Sequence, residues 1–180
     1  MSGFMGLGRI YVDETKRSGY VLAAVAVDDP IAARQAVRAL ILPGQRRLHM
    51  HNEHARRRRR IVSDIQDIAI SVTIYDAGRL YGTDRAGRAA CMSALIEDVA
   101  ADGGDTELVF EQDDSLVASD RYELYRLVHR AGAADRVAYR HLRSHEDQLL
   151  ALPDIVAWCR VRSTEWRRRV APMVTKVRQV

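Results

Sequence analysis

RIYVDETKRSGYVLAAVAV, Arg9 to Val27, is the stretch on which the fold turns. Arg9 to Glu14 alternates and is rich in β-formers, so it reads as a strand. Lys16-Arg17-Ser18-Gly19 is a polar turn ending in glycine, and Tyr20 to Val27 is a second strand, apolar throughout and therefore central, with both faces covered. A hairpin before any helix is an unusual opening for an α/β chain. A doubly wound nucleotide fold opens β-α-β, with a glycine fingerprint after its first strand. Here Asp-Glu-Thr-Lys follows the first apolar run, and no GxGxxG or GxxxxGK[ST] occurs anywhere.

Further along, Asp29 caps and Pro30 opens a helix to about Leu42, stopped by Pro43-Gly44. Arg47 to His51 reads as a short strand. Asn52 caps a helix from about Glu53 to Ile68, striped by Ile61, Ile65 and Ile68. Ala69 to Tyr75 alternates as a strand, Asp84 to Ala101 is helical up to Gly103-Gly104, and Glu107 to Glu111 is again a strand. Asp114 or Ser115 opens a helix to about Ala131, and Val137 to Leu142 is expected to be the last strand. Two helical segments finish the chain, with a break near Ser163. Interleaved strands and helices over 180 residues make one α/β domain.

Composition narrows the classes. Hydrophobic residues make up 47%, which is globular rather than disordered. No apolar run approaches the ~20 residues of a membrane helix, and the opening MSGFMGLGR is too short and glycine-rich for a signal peptide. Cys91 and Cys159 show no framework spacing and read as free core thiols of a cytoplasmic protein. A net charge of +4 permits a polyanionic partner.

Carboxylates recur at the ends of core elements. On the first strand Tyr11 and Asp13 share one face, and Val12 and Glu14 the other. Glu111 ends the apolar strand of TELVFEQDDS, with Asp113 and Asp114 just beyond, where both also suit a helix start. In LLALPDIVAWCRVR, Pro153 as first helical residue places Asp154 in the first turn. Asp154 then shares a face with Ala157, Trp158 and Val161. A carboxylate on such a face needs a partner, and a divalent cation satisfies several at once.

These motifs carry a resemblance. Tyr11-Val12-Asp13-Glu14-Thr15 resembles the Tyr-x-Asp-Glu-Ser opening of the domain of unknown function 3800 family, a bacterial family with a ribonuclease H-like fold. Leu150-Ala151-Leu152-Pro153-Asp154 loosely matches its Leu-Gln-Leu-Ala-Asp helix start, with Ala for Gln and Pro for Ala, and Ser144 upstream also fits. The resemblance implies a ribonuclease H-like mixed sheet with carboxylates at its centre, and metal-dependent phosphodiester chemistry on nucleic acid. Mg2+ or Mn2+ is the expected cofactor, since hard cations prefer oxygen ligands. Asp13, Glu111 and Asp154 are the expected ligands, with Glu14 and Asp113 as second choices.

Two basic features stand beside the carboxylates. In LHMHNEHARRRRR, His49 and His51 share a face if extended and His54 follows, so the three are also candidates for zinc. The same region of the resembling family tends to carry a Lys or His, which makes His51 a candidate proton donor or phosphate contact. Arg56, Arg57, Arg58, Arg59 and Arg60 spread round a helix at ~100° per residue, so they form no single stripe. They read either as a solvated basic face or as contacts to a nucleic-acid backbone. A non-catalytic nucleic-acid-binding or assembly module of the same fold is the alternative function.

Overall fold

The computed structural model describes residues 8–180, so most of the MSGFMGLGR opening lies outside the described residues. Its six-stranded mixed sheet has the order β5-β4-β1-β2-β3-β6. The strands are β1 (Gly8–Thr15), β2 (Tyr20–Val27), β3 (Ile70–Gly78), β4 (Thr106–Glu111), β5 (Val137–Leu142) and β6 (Val174–Gln179). β2 runs antiparallel to both its neighbours, and every other pairing is parallel. The hairpin of the opening stretch is thus the centre of the sheet.

Helices cover both faces. Pleating sends Tyr11, Val21, Ala23 and Val25 to one side, where they pack with residues of α1 (Pro30–Leu40), α2 (Ala55–Ile65), α5 (Ala151–Arg162) and α6 (Thr164–Val170). Val12, Tyr20, Leu22 and Ala24 face α3 (Asp84–Asp102) and α4 (Val117–Arg130). β2 lies between both cores, which is why its sequence is apolar without alternation. The β1–β2 turn depends on Gly19, at φ 102°, where an added Cβ would run into the Gly78 carbonyl.

Besides ends of α1, α2, β3 and α4 that fall two or three residues from expectation, the structure departs from the sequence expectations in four places. Arg47 to His51 is not a strand: Leu48 and Met50 are buried, and Met50–Asn52 forms a 3-10 turn capped by His49. α2 begins at Ala55 with His54 rather than Asn52 as cap, because Glu53 is drawn inward to Arg57 and Gln45. α5 begins at Ala151, not Pro153, continuing a 3-10 turn over Gln148–Leu150, yet Asp154 stays in the first turn. The last strand is β6, not β5. Its Lys176 and Arg178 reach back to Asp98 and Glu97 on α3, so an edge strand with charged side chains is held by pairing with β3. No helix of the described residues is long and apolar enough to cross a membrane.

Candidate functional site

Strand register brings the first two carboxylates together. β1 and β4 are parallel neighbours paired up to Val12 and Phe110. One step further stand Asp13 and Glu111, on the face that Tyr11 and Val109 also share. α5 packs across that face, and its first turn carries Asp154. All three carboxylates line one cleft of about 820 Å³, together with Glu14, Lys16, His49, His51, Asp113 and Trp158.

Their electrostatics are mutual. Burial first, then the charges of Asp154, Glu111 and Glu14, push the Asp13 carboxyl well above the usual range, and the hydrogen bond from the Glu14 N–H (2.8 Å) offsets only part of this. Asp154 is also raised, chiefly by burial and further by Glu111. The His49 ring, with Nδ1 3.5 Å from Asp154 Oδ2, and the Met50 N–H, donating at 3.0 Å, act in the opposite direction. Glu111 accepts from Arg47 at 2.7 Å, and the same guanidinium donates to the Ser144 hydroxyl.

Among the described residues, no three His, Cys, Asp or Glu side chains are gathered tightly enough to form a ready-made metal cage. Like charges in a shared cleft repel, and here each of the three accepts from a protein donor: Asp13 from the Glu14 N–H, Glu111 from Arg47 and Asp154 from the Met50 N–H. The donor set is nonetheless all carboxylate oxygen, which fits a hard divalent cation rather than zinc. The histidines do not form a cluster of their own. His54 caps α2 and His49 caps the 3-10 turn, while exposed His51 lies edge-on to His49 at 6.4 Å between ring centroids. Of the two histidines in the cleft, His49 rather than His51 is the one beside Asp154.

The remaining candidates separate by role. Glu14, on the opposite face of β1, is held by Arg88. Asp113 is exposed and accepts from the Ser115 N–H (2.9 Å) and hydroxyl (2.6 Å), bonds that hold its carboxyl below the usual range. The arginine run divides as well. Arg57 grips Glu53 and the Leu40 carbonyl. Arg58 donates to the Met50 and His51 carbonyls at 2.8 and 3.0 Å and lies 4.7 Å over the Trp158 ring. Arg58 thereby fixes the turn whose Met50 N–H meets Asp154. Arg56, Arg59 and Arg60 remain exposed, with loose ion pairs from Arg59 to Glu165 and from Arg60 to Asp64, each at 3.6 Å.

Two buried polar networks support the cleft and were not visible in the sequence. Tyr11 donates to Asp147 at 3.0 Å beneath the face that carries Asp13, and Arg34 binds both. On the other face Arg88, 5% exposed, donates to both Asp120 oxygens (2.9 and 2.6 Å), to the Tyr20 hydroxyl (2.7 Å) and to Glu14. His141 adds Nε2 to Asp120 at 3.3 Å. Asp147 reads locally as a helix-start residue, a role it also fills through the Leu149 N–H. Arg88 and Asp120, placed within helices, read as solvated positions until tertiary contacts bury them. Comparison with protein-family models, with curated proteins and with solved structures finds no match to this chain.

Proposed function

We propose that the protein is a metal-dependent nuclease or related phosphodiesterase acting on nucleic acid at the Asp13–Glu111–Asp154 cleft. The observation that carries this reading is the convergence of three carboxylates, from β1, β4 and α5, in one cleft where burial and mutual repulsion raise the Asp13 and Asp154 carboxyls. Such groups are short of positive charge. Asp13, Glu111 and Asp154 would hold Mg2+ or Mn2+, and Asp113 stands at the exposed rim. A bound divalent ion supplies water activation and charge stabilisation at a phosphodiester. Lys16 and Arg17 line the same cleft and favour an anionic substrate, and His49 and His51 stand on its wall as further hydrogen-bonding groups for a phosphate. The mixed sheet with a central hairpin agrees with the ribonuclease H-like fold that the sequence resemblance implies.

A non-catalytic binding module is the second reading, and the Arg47–Glu111 ion pair favours it, because it neutralises one of the three carboxylates. End-labelled single- and double-stranded RNA and DNA, incubated with Mg2+ or Mn2+ and with EDTA as control, separate the two. The enzyme reading expects metal-dependent cleavage that Asp13→Asn and Glu111→Gln abolish. Binding without cleavage on every substrate supports the module instead.

A further inference from the structure

A second cavity, of about 430 Å³, adjoins the carboxylate cleft, and Glu111 and Gln112 line both. Its other walls are basic or hydroxylic: Arg46 and Arg47 from the loop after α1, and Arg143, Ser144 and His145 from the turn after β5. The two segments are far apart in sequence, and Arg47 joins them by bridging Glu111 and Ser144. Among the described residues the Arg143 guanidinium pairs only with Asp114, through an exposed contact at 3.0 Å, and Arg46 and His145 are exposed. An exposed ion pair of this kind is weak enough to exchange for a better anion.

We infer that this cavity holds one backbone phosphate of a nucleic-acid strand, next to the phosphodiester presented to the carboxylates. The inference rests on the functional reading above and adds to it where the strand lies. Arginine forks match phosphate oxygens with paired hydrogen bonds, and Ser144 and His145 supply further donors. A phosphate there would sit beside Glu111, so the strand would continue into the carboxylate cleft along the wall that the cavities share. The chemistry recognised is a phosphate group, whether on a nucleic-acid strand or free in solution, and the experiment distinguishes these sources. In the arginine run on α2, by contrast, Arg57 and Arg58 are already bound to the protein.

The test is fluorescence anisotropy with a labelled single-stranded oligonucleotide in EDTA, so that no cleavage enters, over a series of salt concentrations. It compares wild type, Arg46→Gln/Arg143→Gln and Arg56→Gln/Arg59→Gln/Arg60→Gln. Loss of one phosphate contact lowers the slope of log K against log salt by ~0.7, which is roughly fivefold in affinity at 0.1 M salt. The double variant is expected to show that loss while melting within about 2 °C of wild type, since both side chains are exposed. Inorganic phosphate is titrated in parallel, following the His145 ring by NMR. The proposal is overturned if the oligonucleotide binds the double variant as tightly as wild type, or if wild type does not bind it. It is also overturned if inorganic phosphate alone responds to the substitutions, which makes the cavity a free-phosphate site. Failure here with cleavage intact removes only this subsite. A binding loss without any cleavage in wild type keeps the subsite and removes the enzyme reading.

Discussion

Replacing Arg88 with Met tests the packing that supports the end of β1. The guanidinium serves two carboxylates, Asp120 and Glu14, and the Tyr20 hydroxyl. Asp120 is 4% exposed, so without Arg88 its carboxylate keeps only the His141 ring, at 3.3 Å, as a side-chain partner. Breaking a buried pair by removing one member costs about 3–5 kcal/mol, because a charge stays buried without compensation. At ~2–4 °C per kcal/mol for a domain of this size, the melting temperature should fall by roughly 6–20 °C. The sign of the pH dependence follows from Asp120. Burial pushes its carboxyl up, but hydrogen bonds from His141 and Arg88 outweigh burial and hold it below the usual range. A depressed carboxyl contributes stability above its unfolded pKa of ~3.9 and loses it as pH falls through the folded value. The unfolded chain is common to both proteins, so the deficit should be largest at neutral pH and shrink on acidification, first as the unpaired Asp120 of the variant takes up a proton and finally as its depressed wild-type counterpart does. The assay is calorimetric or fluorescence melting of both proteins between pH 3 and 7. A loss under about 1 kcal/mol at pH 7, or a deficit that does not change with pH, refutes the account of this network.

Two further outcomes follow from the same physical reasoning. Gly19→Ala should destabilise the hairpin, since it forces a side chain into positive φ and against the Gly78 backbone, and a melting temperature equal to wild type would contradict that close approach. Burial pushes the Cys91 and Cys159 thiols up to about 12, so neither should react with Ellman's reagent at pH 8 until the protein unfolds, and fast labelling of the native protein would show a looser core than described.

The fold was legible where one periodicity dominated. The Tyr20–Val27 strand and the Val137–Leu142 strand match the structure at both ends, because uninterrupted apolar or alternating runs leave the chain few choices. β6 was not legible, since its charged side chains gain their place from α3 and β3 rather than from any local pattern. The Asp13–Glu111–Asp154 convergence was anticipated from carboxylates that end apolar elements, and the parallel β1–β4 register is what realises it. The neighbours of those carboxylates were not anticipated. That Arg47 meets Glu111, that the Met50 N–H meets Asp154, and that Glu14 turns to Arg88 all depend on contacts across 64 to 104 residues, which no local pattern encodes.

The central claim is that Asp13, Glu111 and Asp154 form a divalent-cation site, and a metal titration followed by thermal melting tests it most directly. Wild type should gain stability with Mn2+: about 2.7 kcal/mol at a hundredfold excess over Kd, or roughly 5–11 °C. Asp13→Asn and Asp154→Asn each remove one charge from a crowded cluster. Because the folded carboxyls are raised, their charged forms destabilise the metal-free protein as pH rises above ~3.9, so both variants should melt at or above wild type at pH 7 without metal. Both should also lose most of the Mn2+-induced rise. No rise in wild type, or variants that start lower and rise as far as wild type, would contradict the account.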